Sequence, residues 1–164
     1  NPMLDLEPYM VALAGVSALC VITWACLRPD ALLRCLLAVV AVWCVGYAYG
    51  DLTGDYTHWQ ANILFDGLAA VMILRHPAGK MQAALGGTYA VQVTMHSSYG
   101  ARDLWSVPDP VAYYEMLTIV AYAQLAILGV WAGGIWGRAL VDRWRRDAGA
   151  VDRWASHSSM GPRR

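Results

Sequence analysis

Five stretches of the chain are apolar for long enough to read as helices crossing a bilayer, whose hydrocarbon core of about 30 Å takes roughly 20 helical residues. Residues 8–27, "PYMVALAGVSALCVITWACL", hold no charge. Residues 35–50, "CLLAVVAVWCVGYAYG", are shorter, but Arg34 can snorkel from the helix end and extend the span back to "RPD". Residues 58–74, "HWQANILFDGLAAVMIL", are apolar around one carboxylate, Asp66. Residues 81–98, "MQAALGGTYAVQVTMHSS", are poor in Leu and Ile and carry Gln82, Thr88, Gln92, Thr94 and His96. Such a segment is costly against lipid and calls for protein neighbours on several sides. Residues 112–139 contain a charge-free run from Met116 to Gly137.

Orientation follows from Lys and Arg in the short connections, because basic loops stay on the cytoplasmic side. With five crossings, Arg28, Arg34, Arg75, Lys80 and the tail from Arg138 fall on one side, and only Arg102 on the other. The opposite side receives Asp5, Glu7, Asp51, Asp55, Asp103, Asp109 and Glu115. Omitting the polar fourth segment would separate the tail from the Arg75/Lys80 loop. The expectation is an all-α, polytopic transmembrane bundle with five crossings, N-terminus outside and C-terminus cytoplasmic. Residues 1–140 form the bundle and residues 141–164 a basic tail, helical at first and disordered from Ser156 on.

Composition agrees: 58% of the residues are hydrophobic and 15% charged, against about a quarter charged in soluble domains. The net charge is zero, so it is the distribution of charge, not its sum, that carries information. The first apolar run lacks the basic start of a signal peptide, carries Asp5 and Glu7, and is expected to remain in the mature chain. Cys20, Cys26, Cys35 and Cys44 all fall in the first two crossings, where thiols act as small apolar groups and are expected buried and free. Tyr47, Tyr49, Tyr56, Trp59, Tyr99, Trp105, Tyr113 and Tyr114 gather toward the outer surface, and Trp24, Trp131 and Trp136 toward the inner one, as interfacial belts do.

The third and fourth crossings make a hairpin about "RHPAGK", so residues at equal height have numbers summing to about 155. That pairs His58 with Ser97 and His96, Asn62 with Gln92 and Val93, and Asp66 with Tyr89 and Thr88. The spacings His58/Asn62/Asp66 and Thr88/Gln92/His96 are each four residues, which places each set along one side of its helix. Asp66 lies about 12 Å below His58, near mid-membrane. Gln124 reaches similar depth on the fifth crossing, with Glu115 nearer its outer end. The interior is therefore expected to hold a polar stripe open toward the outside. Two roles remain open for it: ties between helices, with Asp66 protonated or bonded by Tyr89, Thr88 and Gln124, or a watered path or proton site.

His58 and His96 could ligate haem, or, with Asp55 and Glu115, a metal favouring nitrogen and oxygen. Histidines near an interface are more often hydrogen-bonding groups, and no cofactor or metal is expected. No Ser/His/Asp set, phosphate loop or HExxH motif occurs, so an enzyme is not expected. The tail "RALVDRWRRDAGAVDRWASHSSMGPRR" repeats "VDRW" at residues 141–144 and 151–154. Trp144 beside Arg143, Arg145 and Arg146, with Arg153 further on, suits an anionic lipid surface, or serves only to set topology; nucleic acid is not an expected partner.

Residues 64–100, "LFDGLAAVMILRHPAGKMQAALGGTYAVQVTMHSSYG", resemble small, uncharacterised polytopic membrane proteins of alphaproteobacterial phages and prophages, on "HPAGK", the small-residue helix after it and the "MHSSYG" end. The resemblance covers about a quarter of the chain. It implies a phage setting, in which an inner-membrane protein with a basic cytoplasmic tail suggests a holin-like lesion former. The leading expectation is a non-enzymatic, multi-pass protein of the bacterial inner membrane that oligomerises or opens a polar path. The alternatives are an accessory subunit packing on a partner membrane protein, and a haem- or metal-binding protein.

Overall fold

Proline and glycine set the helix ends. The computed structural model describes residues 6–54, 59–75, 79–104 and 110–158, and its regular elements are five helices: α1 Leu6–Leu27, α2 Asp30–Thr53, α3 Trp59–Leu74, α4 Lys80–Leu104 and α5 Pro110–Ser158. α1 stops because Arg28 turns left-handed, φ 54°, with its N–H donating to Trp24 O at 2.8 Å, and Pro29 follows. Pro29 O then accepts from Leu32 and Leu33 as α2 begins. α2 ends at Gly54, φ 70°, whose N–H donates to Gly50 O. α5 opens on Pro110, where a missing N–H costs nothing.

The helices pack in a closed ring in chain order, α1 on α2, α2 on α3, α3 on α4, α4 on α5 and α5 back on α1, with α2 also leaning on α5 and α4. The α3–α4 pair is the most extensive contact. Alternation gives the bundle two ends: a Tyr113 end, where α1, α3 and α5 start, and an Arg28 end, which also holds Arg34, Arg75 and Lys80. The larger apolar cluster, with Cys20, Leu32, Cys35, Leu36, Val39, Ile73, Leu85, Leu128 and Ala132, fills the half toward the Arg28 end, and a smaller one of Tyr9, Leu13 and Leu125 continues between α1 and α5 toward the Tyr113 end. Trp136 Nε1 donates to buried Thr23 Oγ1 there, at 2.9 Å.

The distribution of polarity is inverted relative to a soluble bundle. Asp66 is 4% exposed, His96 3% and Gln124 3%, whereas Val11 is 68% exposed, Met72 67% and Ile119 68%. Three helices are long and apolar enough to cross a membrane, Pro8–Leu27, Asp30–Thr53 and Val111–Ala148. The other two fall short for different reasons. α3 is apolar but has 16 residues, about 24 Å. α4 has 25 residues but is polar along much of its length.

Several expectations change. α5 runs unbroken through both "VDRW" copies to Ser158, so residues 156–158 are helical where disorder was expected. Its 49 residues span about 73 Å, more than twice a hydrocarbon core. The four cysteines are free, but only Cys20 and Cys35 are buried; Cys26 and Cys44 lie on the outer surface.

The α3–α4 register also differs from the equal-height pairing. Asp66 meets His96, not Tyr89 and Thr88, while Trp59 packs on Gly100 and Leu74 on Gly86. Side chains lean toward the start of their own helix. In an antiparallel pair, α3 side chains therefore reach toward the Tyr113 end and α4 side chains away from it. Facing atoms thus come from α4 residues several positions beyond equal height.

Candidate functional site

Each helix brings its polar groups inward by ordinary helical spacing. On α4 the inward face runs Gln82, Leu85, Tyr89, Gln92, His96; on α3 it runs Asn62, Asp66, Ala69, Ile73; on α5 it includes Tyr113, Gln124, Leu128 and Ala132. The sequence leaves polar residues on these faces only toward the Tyr113 end, apart from Gln82, whose Nε2 donates to Ile73 O across the hairpin.

Three of these groups form a line. His96 Nε2 lies 2.9 Å from Asp66 Oδ2, and His96 Nδ1 is hydrogen-bonded to the Tyr113 hydroxyl. All three residues are buried. α4 holds the phenol twice, because Tyr99, three residues after His96, stacks on the Tyr113 ring at 4.1 Å and 21°. Tyr114 closes on the same ring edge-on at 5.2 Å. A second polar tie joins α4 to α5, with Gln124 Nε2 donating to Gln92 Oε1 at 2.6 Å.

Beside this line is a cavity of about 270 Å³ whose walls include Tyr9, Trp43, Asn62, Asp66, Gln92, His96 and Tyr113. Val42, Leu117 and Ala121 make much of the remaining wall apolar, so the polar groups are gathered on the α3–α4 side, and at roughly 30 Å³ per water the volume has room for several. Tyr9 and Trp43 stack at 5.1 Å to form its α1–α2 wall. Toward the Arg28 end the bundle closes on Tyr89, within electrostatic reach of Asp66, and on Leu32, Val39, Leu85 and Leu128.

Carboxylate, imidazole and phenol bonded in sequence can carry a proton. An ionised Asp66 accepts from Nε2–H, and Nδ1 then accepts from the Tyr113 O–H. With the proton on Asp66, the carboxyl donates to Nε2, and Nδ1–H donates to the phenol oxygen. The two arrangements differ by one proton gained and a flip of every bond in the line, which is how such chains transfer protons.

The structure brings together Asn62, Asp66, Gln92, His96 and Gln124 of the anticipated stripe. Three others fall elsewhere. Thr88 turns its hydroxyl to Leu85 O at 2.6 Å, Tyr89 lies in the apolar core, and Glu115 is exposed, since its position is off the Tyr113/Gln124 face of α5. Gln124 bonds Gln92 and not Asp66. His58 and Asp55 lie outside the described residues, as do Tyr56 and Trp105. Arg143, Trp144, Arg145 and Arg146 are exposed on the far part of α5, and Arg153 lies on the same helix. Among the described residues no three of His, Cys, Asp or Glu gather as a metal site. Both ring nitrogens of His96 are engaged, so a haem or metal bond there would displace Asp66 or Tyr113.

Tyr113 is a bonded member of the buried line and not a belt residue, and its spacing from Gln124 carries the signal. Eleven residues are three helical turns plus about 20°, so the two share a face. Comparison with protein-family models, with curated proteins and with solved structures finds no match for this chain.

Proposed function

We propose that the chain is a non-enzymatic, multi-pass protein of the bacterial inner membrane whose bundle holds a one-sided polar path ending at a proton site. The observation that carries the reading is the Asp66–His96–Tyr113 line on the wall of a cavity, inside a bundle that exposes large apolar side chains on its outer surface. Buried ionisable groups within a membrane are costly, and such residues are usually functional. Five crossings, with the Tyr113 end outside and the Arg28 end cytoplasmic, put Arg28, Arg34, Arg75 and Lys80 where basic residues belong. Paired with α4 inside the ring, short α3 can cross as part of a hairpin whose polar atoms are mutually bonded. The cavity then opens outward, and the apolar plug around Leu85 and Leu128 separates it from the cytoplasmic side.

The test uses purified protein in vesicles whose inner and outer pH are set separately, with the Asp66 carboxyl followed by infrared difference spectroscopy. Lowering the outer pH should raise a protonated-carboxyl band that changing the inner pH leaves alone, and inserted, folded Asp66→Asn should lack that band. The same band response in wild type and Asp66→Asn overturns the proton site.

A second reading, packing against further copies or a partner membrane protein, is favoured by the outer face of α4. There Ala83, Ala84, Gly87, Ala90, Thr94, Ser97 and Ser98 are exposed, and small residues of this kind let membrane helices approach closely. The Thr94 and Ser97 hydroxyls already donate to Ala90 O and Val93 O. A holin-like lesion, the role implied by the phage resemblance, would be built from such contacts between copies. Collapse of membrane potential on induced expression supports the lesion, and recovery of a stoichiometric foreign protein in mild detergent supports the accessory role.

A further inference from the structure

A second cavity lies on the other side of α3, between α2 and α3, with a volume of about 570 Å³. Its walls are almost wholly apolar, with Leu37, Ala41 and Val45 from α2 and Leu68 and Met72 from α3. Leu37, Val45, Leu68 and Met72 are all exposed, so the groove opens on the outer surface of the bundle. Polar groups line it at the Arg28 end alone, where Arg34 and Gln82 stand. Arg34 is exposed and has no acidic partner among the described residues. From Arg34 to Val45 the groove follows twelve residues of α2, a rise of about 16 Å. That is close to half of a hydrocarbon core of about 30 Å, the depth of one leaflet.

We infer that this groove is a binding site for one anionic phospholipid, with an acyl chain lying between α2 and α3 and its phosphate held by Arg34. The inference rests on the membrane reading of the bundle and is independent of the proton site. Charge and length select the occupant together. A guanidinium at the headgroup level forks onto phosphate oxygens, while an apolar channel one leaflet deep matches an acyl chain ending at mid-membrane. A helix from a partner would leave Arg34 beside apolar side chains with its charge unanswered. The wall residues Ala38, Ala41 and Ala69 are small, which is what opens the gap between the two helices.

The experiment is native mass spectrometry of the full chain released from vesicles containing equal phosphatidylglycerol and phosphatidylcholine. Wild type should retain one phosphatidylglycerol in preference to phosphatidylcholine. Arg34→Gln should reduce that preference about fivefold, the worth of one basic residue near an anionic surface. Ala41→Trp, which fills the groove from an outward-facing position, should lose the retained lipid of either kind. The triple variant Arg143→Gln, Arg145→Gln, Arg146→Gln should keep the preference, because the tail lies away from the groove. Equal retention of the two lipids by wild type, or a preference removed by the tail variant and not by Arg34→Gln, overturns the site. Failure of the chain to insert into vesicles at all would instead overturn the membrane reading on which it rests.

Discussion

Buried Asp66 has its nearest polar partner in one imidazole, and that asymmetry decides what each substitution does. His96→Ala leaves the carboxylate without the Nε2 contact and opens a hole between α3 and α5, so destabilisation of about 3–5 kcal/mol is expected, as for breaking other buried pairs. Asp66→Asn keeps a side chain of the same shape that can still hydrogen-bond to Nε2, and should cost only about 1 kcal/mol. Tyr113→Phe removes the hydroxyl that meets Nδ1 but leaves the ring stacked on Tyr99, with a loss of roughly 0.6–2 kcal/mol. Unfolding titrations in mixed micelles check all three; an Asp66→Asn loss as large as that of His96→Ala would show that the carboxyl group itself, and not a side chain of its shape, holds the bundle together. The membership of this site was partly legible in sequence, because four-residue spacing marks a helix face and Asn62, Asp66, Gln92 and His96 share two such faces. Its bonding was not. Which polar group meets which depends on the lean of side chains and on the aromatic grip of Tyr99 on Tyr113, and neither leaves a periodic trace.

At the scale of elements the same division holds. Long runs without charge specify α1, α2 and the first part of α5 directly, and prolines and glycines mark where they stop. The α3–α4 hairpin owes its register to close contacts that hydropathy does not encode. A Cβ at Gly100 would come within 2.5 Å of the Trp59 ring, and one at Gly86 within 2.5 Å of Leu74 Cγ. The two sites should nevertheless respond unequally. Leu74 is nearly half exposed and can rotate off the helix, so Gly86→Ala should be tolerated within about 1 kcal/mol. The indole of Trp59 is a rigid plate beside the buried surface of Gly100, and Gly100→Ala should cost about 1–3 kcal/mol by forcing the start of α3 away from α4. Thermal unfolding in detergent ranks them; a larger loss for Gly86→Ala would mean that the hairpin is pinned at the Arg28 end instead. Because Asp66 and His96 lie between these two contacts, Gly100→Ala should also shift the outer pH at which the Asp66 carboxyl takes up its proton.

For the whole molecule, the decisive quantity is the side of the membrane on which each end lies. An odd number of crossings separates the start of the chain from its finish, and a ring of five alternating helices puts Thr53 at one end of the bundle and Ser158 beyond the other. Three apolar helices alone satisfy a length criterion, so the issue is whether α3 and α4 enter as a pair. If they lay on the surface, the Asp66–His96 bond and the Gln92–Gln124 bond would face the headgroups, and Arg75 with Lys80 would gain no energy from a cytoplasmic position. Inserted together, the pair keeps those bonds within the ring and exposes Leu64, Leu68, Val71 and Met72 of α3 to acyl chains. Labelling can separate these cases once the native thiols, of which Cys26 and Cys44 are exposed, are replaced by alanine. Thr53→Cys should then react with a membrane-impermeant maleimide added to intact cells, and Ser158→Cys only after the membrane is opened. A hairpin lying on the surface gives three crossings and still puts Thr53 and Ser158 on opposite sides whenever α5 crosses the other way. A third position is therefore required. Arg75→Cys should behave like Ser158→Cys if α3 crosses, and like Thr53→Cys if it does not, so labelling of Arg75→Cys in intact cells would refute five crossings whatever the other two report.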